Sequence, residues 1–290
     1  MMYCFLDALA SLFSRFSWNT LRAIAGGLAF VVWHALPARR QVAVQSIEKH
    51  LGLPFDKAEA IARQSYRENF LSFLEIFHAG RFQTFSPATH FATPEVLELM
   101  HKETAPVVIA TAHIGSWEMM PGLATDIFPA RQSMVVVRSR KNSALNKVMA
   151  RLRGARGMQA VDHRQASSLV LPCLRNGGIT AFLVDHNCSR KEAIFLSFLG
   201  ESAAVNMGPA SMALRAKAAV YPVFLVRDGK GGYIFYSAPP LRTDELEGSI
   251  KDRIAAIAAF YTDAVADIVQ KHPEQWFWMH KRWKTRPKTE

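Results

Sequence analysis

The chain has 290 residues, half of them apolar, with 35 Lys and Arg against 24 Asp and Glu for a formal net charge of +11. That length suits one large core or two small domains, and the charge favours anionic partners: nucleic acid, acidic proteins, phospholipid headgroups or phosphorylated sugars. Three cysteines, Cys4, Cys173 and Cys188, are odd in number and form no CxxC, which argues against a disulfide framework and a structural zinc site and fits a reducing cytoplasmic setting.

Tyr3 to Pro37 is rich in Leu, Phe, Ala and Trp, with only Asp7, Arg15 and Arg22 charged. Its longest uncharged run, Ala23 to Pro37, is shorter than the roughly 20 residues that span a bilayer. Arg15 and Arg22 interrupt what a cleaved signal would keep apolar, and Arg39 and Arg40 follow directly. Residues 1–37 therefore read as an uncleaved membrane-associated helix in or on the cytoplasmic leaflet, with 38–290 as the folded domain. A helix buried in the core is the alternative.

Asp56 to Ala79 reads as an amphipathic helix capped by Asp56 and ended by Gly80, with Ile61, Phe70, Phe73, Leu74 and Phe77 on a face. Short β-branched runs follow at Val107 to Ala112, Met134 to Arg138, Ile179 to Val184 and Val220 to Val226. Helix-like stretches such as Ser143 to Arg153 and Gln165 to Leu174 separate them, as in buried parallel strands with helical crossovers. Tyr233 to Tyr236 follows Asp228-Gly-Lys-Gly-Gly and reads as an antiparallel hairpin strand, and a last helix runs from about Asp244 to Lys271. The fold class is α/β, a mixed and mostly parallel central sheet covered by helices.

Val107-Val-Ile-Ala-Thr-Ala-His-Ile-Gly-Ser-Trp-Glu is a strand, a polar turn and the start of a helix near Ser116. Ligands of open α/β sheets bind just beyond the carboxyl ends of strands. His113 accepts protons near neutrality, and the spacing predicts that Glu118 returns across the turn to one ring nitrogen, fixing the tautomer. No GxSxG elbow exists in the chain, so direct transfer assisted by a base suits it better than a covalent acyl-enzyme.

The HIGSWE segment resembles the H-x4-D/E motif of the lysophospholipid acyltransferase superfamily, in the form typical of the lipid A late acyltransferases. Val137-Arg-Ser-Arg-Lys-Asn is similar to that family's Arg-containing block, Leu183-Val-Asp-His-Asn to its Asp-His-Asp block, and Phe198-Leu-Gly to its Phe-Phe-Gly turn. His272-Pro-Glu-Gln-Trp-Phe-Trp-Met-His-Lys-Arg-Trp-Lys-Thr-Arg-Pro is similar to its ending. Asn187 and Ser189 depart from the pattern and leave the acceptor open.

The resemblance implies an inner-membrane enzyme, facing the cytoplasm, that moves an acyl chain from acyl carrier protein to a hydroxyl of an acylated glucosamine disaccharide. His113 would be the base, Glu118 its orienting partner, and no metal or redox cofactor would be needed. Within the superfamily, a glycerolipid or other glycolipid acceptor is the nearest alternative. A noncatalytic protein that binds membrane or carrier protein is the other.

From Arg131 to Val161 there are eight basic residues and no acidic one. Beside the catalytic strand they suit a phosphorylated saccharide or the acidic carrier protein, with a solvated helix face as the bland reading. Arg138, ending its strand, leads, with Arg140 as competitor and Arg151 sharing a helical face with Lys147. Asp185, which ends the run Ile179 to Val184, can hold substrate, position Arg138 or cap the next turn. The aromatic and basic ending from Trp276 suits either a membrane interface or rings packed in the core; no nucleic-acid motif accompanies it, so nucleic acid is not an expected partner.

Overall fold

A computed structural model describes residues 2–138 and 143–288. Four helices precede the sheet: α1 (Met2–Phe13), α2 (Trp18–Ala35), α3 (Pro37–Leu51) and α4 (Phe55–Glu75). The chain continues through β1 (Thr89–Phe91), α5 (Pro94–His101), β2 (Val107–Thr111), α6 (Met120–Ile127), β3 (Ser133–Val137), α7 (Ala144–Arg153), β4 (Met158–Asp162), α8 (Ala166–Arg175) and β5 (Ile179–Leu183). It closes with the hairpin β6 (Ala193–Phe198) and β7 (Glu201–Asn206), then α9 (Met207–Ala216), β8 (Ala219–Arg227), β9 (Tyr233–Ser237), β10 (Leu241–Arg242) and α10 (Ile250–Lys271).

The main sheet runs β1-β9-β8-β2-β5-β3-β4, with β10 also pairing β8. Strands β8, β2, β5, β3 and β4 are mutually parallel, while β9 and β10 lie antiparallel to β8. This is the mixed, mostly parallel sheet that the apolar runs imply. All five residues of β2 are buried because alternate side chains feed two cores: Val108 and Ala110 pack with α4, α8, α9 and α10, and Val107 and Ile109 with α5 and α6. The chain leaves β2 by α6 on one face and reaches β8 from β5 by α9 on the other. The carboxyl ends of the adjacent strands β2 and β5 therefore lie where the connections diverge to opposite faces, the position at which open α/β sheets hold ligands.

Local chemistry moves several boundaries. Pro54 takes the cap position of α4 and Asp56 falls in the first turn, where its charge still suits the helix N-terminus. The α-helix ends at Glu75 and tightens into a 3-10 segment, Ile76–Arg81, instead of running on to Ala79. The last helix starts at Ile250, not near Asp244, because Gly248 is left-handed (φ +94°) and Ser249 accepts the Asp252 N–H at 3.2 Å.

The N-terminal region forms two helices. Among the described residues no single helix is long and apolar enough to cross a membrane; α2 and α3 together have the length and composition but are bent by 98°. The inner face of α2 buries Leu21, Ala25, Ala29 and Trp33, the last two joining the main core. Its outer face leaves Leu28, Phe30 and Val31 exposed. The α1 helix turns Tyr3, Leu6 and Ala10 onto Val148, Met149 and Leu152 of α7, with Met2, Phe5, Leu9 and Leu12 exposed on the opposite side.

Candidate active site

Register brings the central pair together. Thr111 of β2 faces Leu183 of β5, so His113 and Asp185 each lie two residues past the paired ends of neighbouring strands. The His113 Nδ1 lies 2.8 Å from Asp185 Oδ1, and the His113 backbone N–H donates to Asp185 Oδ2 at 2.9 Å. Trp276 Nε1–H donates to the same Oδ2 at 2.9 Å. A carboxylate only accepts, so in the neutral ring Nδ1 carries the hydrogen and Nε2 keeps its lone pair. The Asp185 side chain has no exposed surface, whereas 33% of the His113 side chain is open and its Nε2 has no hydrogen-bond partner among the described residues.

The hydrogen bond expected from Glu118 to His113 is not formed; Asp185 makes it. The turn after His113 leads into a 3-10 segment, Trp117–Met119, and the Glu118 carboxylate meets Arg153 of α7 through two bonds, Nε at 2.8 Å and Nη2 at 2.5 Å. Only 3% of the Glu118 side chain is exposed, so this fork-to-fork pair neutralises a charge that burial would otherwise penalise heavily. Burial alone would lower the His113 pKa, but the charge and hydrogen bond of Asp185, with a smaller contribution from Glu118, hold it above its ordinary value while Arg153 opposes them. Asp185 stays ionised well below the usual carboxylate range: burial pushes its pKa up, and the charge and hydrogen bonds of His113 more than reverse that.

The turn is pinned from three sides. Gly115 N–H donates to Gln275 O at 3.2 Å, Ser116 N–H to Leu225 O at 2.7 Å, and the Ser72 hydroxyl of α4 donates to Gly115 O. Phe277 N–H donates to His113 O at 3.0 Å. Gly115 has φ +58°, and a Cβ there would strike Leu225 O and lie 2.7 Å from Val226 Cα, both backbone atoms that cannot move aside. Gly115→Ala is therefore expected to destabilise the fold by about 3 kcal/mol or more, read as a lower midpoint of urea unfolding.

The C-terminal segment belongs to the site. Trp276, Trp278 and Trp283 are buried and pack with the core, while Lys281, Lys284 and Arg286 face solvent, so the rings take the core-packing alternative. Arg282 is buried too, donating to Ala204 O at 2.6 Å. Asn187 accepts from Thr285 N–H and donates to Thr285 Oγ1, both at 3.0 Å. The Thr285 hydroxyl itself donates to Cys188 O at 2.8 Å, so an Asp in that place could keep the second bond only by drawing the hydroxyl hydrogen away from Cys188 O, and the Asn suits this tie to the C-terminal segment. Around His113, Trp117 presents an edge at 5.6 Å, Phe277 lies at 6.1 Å, and the exposed Phe73 stands edge-on to Trp117 at 5.4 Å.

Other predicted residues lie apart. Arg138 is exposed at the end of β3, one strand beyond Asp185, and makes no hydrogen bond or ion pair with another described residue. Arg151 pairs with Asp7 of α1 at 2.7 Å and so faces the N-terminal helix. Arg140 lies outside the described residues. Asp185 holds His113, a role absent from those its position suggested. Arg153 falls within the basic run, where the sequence singles out other arginines, and Trp276 has no site role by sequence; the Pro-Glu-Gln-Trp block is the available signal for the latter. Among the described residues, no group of three or more His, Cys, Asp and Glu is placed to hold a metal. Two concavities, about 720 and 210 Å³, are lined by residues such as Phe85 and Arg156 or Trp18 and Arg227, and include neither His113 nor Asp185.

A carboxylate-held histidine at the end of a parallel strand has the geometry a general base requires. The family described as bacterial lipid A biosynthesis acyltransferase matches residues 8–285, and the chain belongs to that family. It is similar to the lipid A biosynthesis palmitoleoyltransferase of Escherichia coli (strain K12), 29% identical over 156 residues, which are 53% of this chain and 49% of that protein. The lipid A biosynthesis lauroyltransferase of the same strain is 29% identical over 140 residues, 47% of this chain and 43% of that protein. The lipid A biosynthesis acyltransferase of Shigella flexneri is 29% identical over 156 residues, again 53% and 49%. The chain thus spans about half the length of the curated relatives it matches.

Proposed function

We propose that this protein transfers a fatty acyl group from the thioester of acyl carrier protein to a hydroxyl of an acylated glucosamine disaccharide, the lipid A precursor. The observation that carries this reading is the His113 imidazole, fixed through Nδ1 by Asp185 and open at Nε2. Nε2 takes the acceptor's hydroxyl proton as the oxygen bonds to the thioester carbonyl carbon. The C–S bond then breaks, and the departing thiolate receives that proton from the imidazolium. Asp185 holds the productive tautomer and stabilises the imidazolium.

Glu118 acts one step removed, by holding Arg153 beside the imidazole and adding negative potential that favours the imidazolium. Arg153 Nη1 makes no bond to another described residue and is available to the thioester oxygen or a substrate phosphate. Arg138, at the end of β3, supplies further positive charge toward a phosphorylated saccharide, and Arg140 stays its competitor by sequence. The protein works at the cytoplasmic face of the inner membrane. The exposed apolar side chains of α1 and α2 support this, as do Arg15, Arg22, Arg39 and Arg40 in a stretch from Ala8 to Ile47 that contains no acidic residue.

The test is mass spectrometry of lipids after incubating detergent-purified protein with acyl carrier proteins of several chain lengths. A lipid A precursor and a lysoglycerolipid are offered as competing acceptors. Acylation of the disaccharide is expected; acylation of the glycerolipid alone would move the assignment to that acceptor class.

A further inference from the structure

Two arginines on one helix face in different directions. On α7, Arg151 pairs with Asp7 of α1 at 2.7 Å, and two residues later Arg153 grips Glu118 beside His113. Between them Leu152, with Val148 and Met149, forms the apolar seat on which Tyr3, Leu6 and Ala10 rest. The far side of the α1 helix is also apolar and stands open among the described residues: Phe5 is 67% exposed, and Met2, Leu9 and Leu12 continue the stripe at helical spacing. A helix apolar on both sides needs a second apolar medium, and the arginines that follow it suit an anionic lipid surface.

We propose that α1 is a positioning element of the active site: docked on a lipid surface, it presses on α7 and so sets where Arg153 holds Glu118. This rests on the lipid-surface part of the proposed function and goes beyond anchoring. Leu6 and Asp7 are thereby positioning residues that act through Arg153. An undocked α1 carries an exposed apolar face and is held to the protein by the α7 seat, by Ile76 and by Phe77, against which Phe13 packs at 5.0 Å, and by one half-exposed ion pair, the kind worth only about 0–1 kcal/mol. With the helix seated on α7 and docked on lipid, neither apolar face is left in water. The link is then two-state, α1 seated or loose, and its output is the distance of one guanidinium from the imidazole.

The experiment uses the full chain, wild type and Leu6→Ala/Asp7→Asn, each with and without vesicles of phosphatidylethanolamine and phosphatidylglycerol. Three quantities are read: sedimentation with the vesicles, turnover of the precursor, and the titration midpoint of His113 by NMR of labelled imidazoles. The charged and titratable groups around His113 are Asp185 from the β5 end, Glu118 from the turn, Arg153 from α7, and His186 and His280. Of these, only Arg153 lies on the helix that α1 touches. Vesicles are expected to lower the wild-type midpoint, because a firmly placed Arg153 opposes the imidazolium. The variant is expected to sediment as well as wild type, to keep a higher midpoint with vesicles present, and to lose about tenfold in kcat at unchanged KM. In an Arg153→Gln background the same two substitutions should change kcat no further. A wild-type midpoint indifferent to vesicles, or an equal shift in the variant, overturns the proposal. A vesicle-dependent midpoint in a protein that transfers no acyl chain leaves it standing and removes the transferase reading instead.

Discussion

Asp185→Asn lowers kcat by about three to four orders of magnitude on this account, in a protein that remains folded. The size follows from the hydrogen-bond directions. Two fixed donors, the His113 backbone N–H and Trp276 Nε1–H, converge on one carboxylate oxygen. An amide must offer them its oxygen, which leaves its NH2 facing His113 Nδ1. That nitrogen would then become an acceptor and the ring proton would move to Nε2, where it blocks uptake of the hydroxyl proton. Removing the carboxylate also removes the main cause that raises the His113 pKa, so the acid limb of kcat/KM against pH moves to lower pH. Activity falls on that limb as the base becomes protonated; a limb moving upward, or a loss of only a fewfold, would contradict the assignment.

Glu118→Gln is expected to cost about two to three orders of magnitude in kcat, with a lower thermal midpoint. The amide cannot satisfy both Arg153 donors, and a largely buried guanidinium loses its counter-charge. The titration direction separates this arrangement from direct contact between Glu118 and His113. Loss of Glu118 removes a raising influence on His113 and moves the acid limb down, whereas Arg153→Gln removes a lowering one and moves it up. If Glu118 acted only on the ring nitrogen, Arg153→Gln would leave the limb where it is.

Much of this was legible in the sequence because burial leaves simple marks. The four apolar runs are strands, their order of helix and strand gives the parallel sheet, and His113 follows the carboxyl end of one of them. What stayed hidden depends on spatial adjacency. Nothing in the spacing of His113 and Asp185 says that β2 and β5 are neighbours; that follows from the chain passing through β3 and β4 before β5 returns between β2 and β3. Glu118 was read by its sequence distance from His113, which ignored the turn at Gly115 and the competing guanidinium on α7. In the hairpin β6–β7 the first strand, Ala193-Ile-Phe-Leu-Ser-Phe, is an apolar run that sequence reading passes over, while the second is rich in small residues such as Ala203 and Ala204. Trp276 resembled a membrane-interface residue by composition, yet its indole is spent on Asp185.

The most direct test of the central claim is the acyl-transfer assay with His113→Ala beside wild type, the two matched in unfolding midpoint. Wild-type protein should convert the precursor to a product heavier by one acyl chain. The variant should yield none above the protein-free control. Product formation by His113→Ala at a rate near that of wild type would contradict the account.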